Sequence, residues 1–200
     1  MKRHPPAAAG ADTAWNAGFS RHSGPEARGR RIAVLRDRSD HYDASVTDDG
    51  KPAPADLTLM RAALAEAEAA AQNGEVPVGA VVAKDGQILA AARNRVRETG
   101  DPTAHAEILA VRAAADRIGN YRLTGCDLYA TVEPCLMCAG AIAHARIRRL
   151  VYGAPEPKFG GVESKLALDG LGLPHRLTVV SGVLADEGRE LLQTFFRERR

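Results

Sequence analysis

The sequence is short of everything an exported or membrane protein relies on. Three cysteines in 200 residues, two of them in one C-x-x-C, make no disulfide framework and point to a reducing cytoplasm. No stretch approaches the roughly 18–20 uninterrupted apolar residues of a transmembrane helix, so no membrane partner is expected. The first residues lack the continuous apolar run of a signal peptide. No internal repeat is present. Charge of one sign is also scarce: the chain has 27 Lys+Arg and 25 Asp+Glu. Residues 1–55 hold 9 and 7 of these, leaving 18 of each for residues 56–200. Bulk electrostatics therefore do not announce a nucleic-acid partner, and any such argument has to rest on local patches.

Large apolar side chains are sparse in residues 1–55, which carry scattered Gly, Pro, Ser and Asp and only the short run Ile32-Ala33-Val34-Leu35. That is too little to offset chain entropy, so a disordered N-terminal extension is expected there, a tail or the product of a start codon upstream of Met60. A targeting or RNA-contacting arm is the alternative that the arginines of residues 21–38 suggest. Order is expected from Asp56, read as an N-cap. Leu57, Met60, Leu64, Ala67 and Ala71 follow on one helix face. Val78–Ala83 and Gln87–Ala92 read as a hairpin across Asp85-Gly86. Helices are expected at 105–118, 134–145 and 186–197, and strands at 128–132, 149–152 and 177–180. Alternating strands and helices imply a layered α/β sandwich with a mixed sheet over residues 56–200.

Two short strings carry chemistry. His105-Ala106-Glu107 is an H-x-E, and Pro134-Cys135-Leu136-Met137-Cys138 is a P-C-x-x-C. Each falls at the start of an expected helix, where partial positive charge favours thiolate over thiol. Cys135 and Cys138 share one face of a turn, and His105 completes a three-ligand set that leaves a tetrahedral position for water. Glu107 lies too near His105 to be a fourth ligand and is placed to accept a proton from that water as general base. This pairing resembles the pattern of the zinc nucleobase deaminases. A structural zinc knuckle wants a fourth Cys or His. Cys126 is the one cysteine left, and it reads as a small core residue beside a strand.

Beyond these strings, residues 56–200 resemble the bacterial tRNA-specific adenosine deaminases of the cytidine and deoxycytidylate deaminase superfamily. The likeness runs through Gly74–Ala80, Asp101–Glu107, Asn120–Leu123, Leu128–Gly153, Gly182–Glu187 and Phe195-Phe196-Arg197. It implies a three-layer α/β/α sandwich with a mixed central sheet, cytidine-deaminase-like, and a homodimer with one zinc ion per subunit. It also implies hydrolysis of the wobble adenosine of an arginine tRNA to inosine with release of ammonia, the anticodon loop being the partner. By position His105, Cys135 and Cys138 match the zinc ligands, Glu107 the proton shuttle, and Asn94 a residue that contacts the target nucleotide. The alternative is a small-molecule deaminase acting on guanine, cytosine or deoxycytidylate, which shares both strings.

Local charge is compatible with RNA but open to a structural reading. Arg93, Arg95 and Arg97 could face phosphate or end a solvated strand, and Arg146, Arg148 and Arg149 follow the second helix of the site. Arg197, Arg199 and Arg200 complement the dipole of the last helix, and Phe195 and Phe196 could stack on bases or anchor that helix. Two stretches depart from the family pattern: Glu156-Pro157-Lys158 where Asp-Pro-Lys is usual, and Pro174-His175-Arg176 where Asn-His-Arg is usual.

Overall fold

The computed structural model describes residues 52–165, 175 and 177–199. The expected extension lies, up to residue 51, outside the described residues, as do Pro174, Arg176 and Arg200. The chain runs α1 (Pro54–Gln72), β1 (Gly79–Lys84), β2 (Gln87–Arg93), α2 (Val96–Thr99), α3 (Ala106–Ile118), β3 (Cys126–Val132), α4 (Leu136–His144), β4 (Arg149–Ala154), β5 (Thr178–Ser181) and α5 (Ala185–Arg197). One five-stranded sheet has the order β2-β1-β3-β4-β5. The first three strands pair antiparallel, and β3-β4 and β4-β5 pair parallel. The sheet is therefore mixed, as expected.

Period-2 alternation divides the sheet between two cores. Val82, Leu128, Ala130, Leu150 and Tyr152 join Ala106, Ala110, Ala114, Ala139 and Ile142 of α3 and α4 in one core. Val81, Ala83, Tyr129 and Val151 meet Leu59, Met60 and Ala63 of α1 in the other, beside Val183. Helices cover both faces, which gives the three layers. Along α3 and α4 the side turned to the sheet is largely alanine, so these helices lie close to the strands and to each other. The short α2 was not expected from the sequence, since four residues show no periodicity.

Asp56 is not an N-cap. The helix begins at Pro54 with Ala53 in the cap position, and the Asp56 carboxylate is fully buried. It accepts from the Tyr129 hydroxyl at 2.8 Å and from Arg149 at 2.7 and 3.1 Å. Arg149 also donates to Asp127 at 3.0 and 3.2 Å, and Asp127 takes a bidentate pair from Arg148 at 2.8 and 2.9 Å. A buried cation is tolerable only when paired and hydrogen-bonded in this way. Arg149 is thereby removed from any RNA-facing patch.

Candidate active site

His105 and Cys135 occupy equivalent places, the N-caps of α3 and α4, both with extended backbone and neither using its side chain as a cap. An N-cap usually spends its side chain on the orphan amides of the first turn. Here those side chains are kept for the site, and the capping of α3 passes to Asn94. Its Oδ1 accepts from the Ala106 amide at 2.9 Å, and the residue is buried. Asn94, just past β2, is itself held by a bond from its amide to the Val78 carbonyl at 3.1 Å.

The ligand atoms converge. His105 Nδ1 lies 3.7 Å from Cys135 Sγ and 3.5 Å from Cys138 Sγ, and the two sulfurs are 3.6 Å apart. A tetrahedral ion bonded at about 2.3 Å to sulfur and about 2.0 Å to nitrogen spaces sulfurs about 3.8 Å apart and sulfur from nitrogen about 3.5 Å. The three side chains thus fit a zinc ion, and among the described residues they form the one His/Cys/Asp/Glu group so arranged. The thiol of Cys138 and the ring of His105 hold Cys135 far below the usual thiol range, at about 4. Negative charge at that sulfur favours a cation. Cys126 is fully buried in the core at the start of β3 and belongs to no such group.

Glu107 sits in the first turn of α3 and is buried. Burial, the largest influence, pushes its carboxyl above the ordinary value, and the Cys135 sulfur adds to the rise. Its Oε2 has no hydrogen-bond partner among the described residues. A buried carboxylate oxygen left unpaired is costly, and such groups collect where chemistry needs them. The site therefore joins three side chains that fit a metal ion to a carboxylate with an unpaired oxygen and a raised affinity for protons.

Two further carboxylates organise the surroundings, and neither was singled out from the sequence. Glu75 is buried, and its Oε1 accepts from the amides of Arg97 and Glu98 at 2.8 and 2.9 Å. It caps α2 from a distance and fixes the segment between Asn94 and His105. Glu133, also buried, accepts from the amides of Glu156 at 3.0 Å, Val162 at 3.2 Å, Glu163 at 2.8 Å and Ser164 at 2.9 Å, and from the Ser164 hydroxyl. Burial alone raises its pKa, but the bonds from Glu163, Ser164 and Glu156 outweigh that and hold the carboxyl below its usual value. It pins the segment after β4 against the P-C-x-x-C turn, where Gly160 pairs with Cys135 and the Gly161 amide donates to the Pro134 carbonyl at 2.8 Å. A Cβ on Gly160 lies 2.4 Å from the Glu133 carboxylate, and one on Gly161 lies 2.5 Å from Leu136 Cα. Only glycine allows that approach.

The expected arginine patches fare differently. Arg93 pairs with Glu66 at 3.4 Å, Arg95 with Glu98 at 2.7 Å, and Arg97 donates to the Gly74 carbonyl at 3.1 Å. β2 ends at Arg93, so the three do not continue a strand and do not form one phosphate-facing row. Phe195 is buried and Phe196 is half exposed, their rings meeting edge to face at 5.4 Å. Arg199 lies over Phe195 at 3.6 Å, on the face a base would need. Of the second departure from the family pattern, His175 is described. Its Nε2 donates to the Ile147 carbonyl at 2.6 Å.

Comparison with known proteins agrees with this geometry. The family model for the cytidine and deoxycytidylate deaminase zinc-binding region matches residues 54–154. A tRNA-specific adenosine deaminase of Agrobacterium fabrum is 50% identical over 143 residues, 71% of this chain and 94% of the relative. That of Haemophilus influenzae is 49% identical over 147 residues, 72% of this chain and 85% of the relative. Among solved structures, a tRNA:A34 deaminase studied for A-to-I editing at the wobble position of transfer RNA superposes with a TM-score of 0.66 at 48% identity, covering 68% of this chain and 99% of that one. A guanine deaminase from Nitrosomonas europaea superposes with a TM-score of 0.63 at 29% identity, covering 72% of this chain and 84% of that one. With the metal triad, the orphaned glutamate and this degree of identity in agreement, the chain belongs to the tRNA-specific adenosine deaminases of the cytidine and deoxycytidylate deaminase family.

Proposed function

We propose that this enzyme converts the wobble adenosine of an arginine tRNA to inosine by hydrolysis, releasing ammonia. The observation that carries the reading is the unpaired Oε2 of Glu107 beside His105, Cys135 and Cys138. Those three residues are the proposed ligands of one zinc ion per subunit, and zinc bound there supplies the Lewis acidity that makes water nucleophilic near neutral pH. Glu107 does the proton work. It takes a proton from the attacking water and delivers it to ring nitrogen N1. It then carries the second water proton to the departing amine as the C6–N bond breaks. The water oxygen stays on C6, one of its protons rests on N1, and the other leaves in ammonia. A carboxyl with a raised pKa suits a group that must both take and return a proton.

Asn94 is the proposed contact to the target nucleotide. Its Oδ1 is committed to Ala106, so Nδ2 is the atom available to donate. An anticodon loop suits such a site because its bases are already unpaired and cheap to splay outward. A homodimer is proposed as well, the first turn of α4 offering Leu136 and Met137, 51% and 38% exposed, as apolar contact surface. No helix among the described residues is long and apolar enough to cross a membrane, and the proposed setting is the cytoplasm, with its tRNA.

The test is inosine formation in an arginine-tRNA anticodon stem-loop, run beside ammonia release from free guanine, cytosine and deoxycytidylate. Inosine in the stem-loop is the expected result. Turnover of guanine alone overturns the tRNA assignment in favour of the reading suggested by the Nitrosomonas neighbour. Cys135→Ala should lose its metal by elemental analysis, and full zinc occupancy in that variant contradicts the ligand set.

A further inference from the structure

Phe159 is 72% exposed, more than any other large hydrophobic side chain among the described residues. Its backbone is nevertheless tightly fixed. The Gly160 amide donates to the Glu156 carbonyl at 2.8 Å and Gly160 itself pairs with Cys135. Glu133 grips the chain on either side, at Glu156 and at Val162 to Ser164. The neighbouring glycines leave no room for the segment to shift inward. An aromatic ring left in water by a backbone held on both sides contributes little buried apolar area to the fold, and its faces are open to stack on a ligand. Lys158, the residue before it, is exposed too.

An exposed ring next in sequence to an exposed lysine, one residue from the strand-like contact with a proposed zinc ligand, supplies the two groups that engage single-stranded nucleic acid: a ring to stack on a base and a cation to meet phosphate. We propose that Phe159 is a stacking platform for a nucleobase adjoining the adenosine that is deaminated. The inference rests on the tRNA reading above and adds to it a determinant of how the loop is held. Fixing the backbone that carries the ring in advance lowers the ordering entropy lost on binding, and Glu133 is the residue that fixes it. Lys158 and Lys165 are exposed cations of this segment, with Glu156 and Glu163 as its acids. An ammonium next in sequence to the ring gives RNA a phosphate partner that an apolar contact between two copies of the chain has no use for.

The experiment uses full-length protein and an anticodon stem-loop carrying 2-aminopurine at each position flanking the target. Binding to the unaltered protein should quench one of these probes, and Phe159→Leu, equally apolar but not aromatic, should abolish that quenching. KM for the stem-loop should rise about 5- to 100-fold in Phe159→Leu, the range expected for losing one base stack, with a smaller change in kcat and undiminished zinc. Phe159→Trp should restore both signals. An unchanged KM and unchanged quenching overturn the platform while leaving the tRNA reading intact. A shift of Phe159→Leu to monomer in sedimentation, with KM unaltered, overturns it in favour of a subunit contact. Absence of inosine with the unaltered protein removes the tRNA reading and the platform with it.

Discussion

Asp56 and Glu107 are both buried carboxylates in the first turn of a helix, on opposite faces of the sheet, and they have opposite surroundings. Asp56 has both oxygens occupied, by Tyr129 and Arg149, and belongs to a network that extends through Asp127 to Arg148. Glu107 keeps one oxygen without any partner among the described residues. Both side chains lie within a few residues of chain that reads alike, acidic and early in a helix. Burial alone does not separate a structural carboxylate from a chemical one; saturation of its hydrogen bonds does. On the α1 face the charges are consumed in holding α1 to β3 and β4. On the α3–α4 face one carboxylate oxygen is left without a partner among the described residues, and the proposed proton transfer is the use it would have.

The comparison is sharpest in activity. Glu107→Ala should lower turnover by about 10²- to 10⁴-fold, the range for loss of a general acid–base group, with zinc content unchanged. Its stability should shift by no more than about 1 kcal/mol, because the lost methylene packing is offset by removing a poorly solvated carboxyl. Normal turnover in that variant, followed by inosine release, refutes the assigned role. Asp56→Ala should do the reverse. Leaving Arg149 buried with fewer partners costs about 3–5 kcal/mol of stability, read by denaturant titration, while the metal triad keeps its zinc. If both variants lose stability equally, the distinction between the two faces fails.

Glu133 stands between these cases, being saturated like Asp56 but beside the site like Glu107. Glu133→Gln should weaken the grip on residues 156–164 by about 1.5–3 kcal/mol, as for hydrogen bonds to a charged group. Amide exchange at Val162, Glu163 and Ser164 should quicken before the core opens, and exchange no faster than in the unaltered protein contradicts the anchor. The smallest effect is one of pH. The Glu133 pKa is held below the ordinary 4.5, so its contribution is fully present above that value and is lost as pH falls through the lower, folded one. Exchange at the same three amides should stay protected at pH 5 and loosen only in stronger acid. Loosening already near neutrality breaks the assignment.

Much of this molecule was legible in the sequence because its signals are local. Strand alternation and turn chemistry put every strand within about two residues of where it lies, and H-x-E with P-C-x-x-C marked two helix starts that the structure brings together. What was missed depends on partners distant in sequence. Asp56 reads as an N-cap because caps and buried acids favour the same position, and its partner Arg149 is 93 residues away. Arg93, Arg95 and Arg97 read as a row because the chain turn into α2 is too short to show a period. Glu133 sits one residue before the proline of a known string and has no periodic signal of its own. Its meaning lies in amides 23 to 31 residues downstream. The Glu-Pro-Cys spacing together with the paired Gly160-Gly161 could have hinted at that contact.

The alanines of α3 and α4 set the tolerance of the whole site. Ala106, Ala110, Ala114 and Ala139 are fully buried, and the helices they line carry His105, Glu107 and Cys138. Each methyl group acts as a spacer, so a bulkier side chain at one of these places moves a helix start by a fraction of an ångström before it unfolds anything. The proposed ligand atoms, which lie 3.5 to 3.7 Å apart, have no slack to absorb such a shift. Positions with no reactive atom are therefore under the same geometric constraint as the ligands, and drift at an alanine here registers as a change in the catalyst.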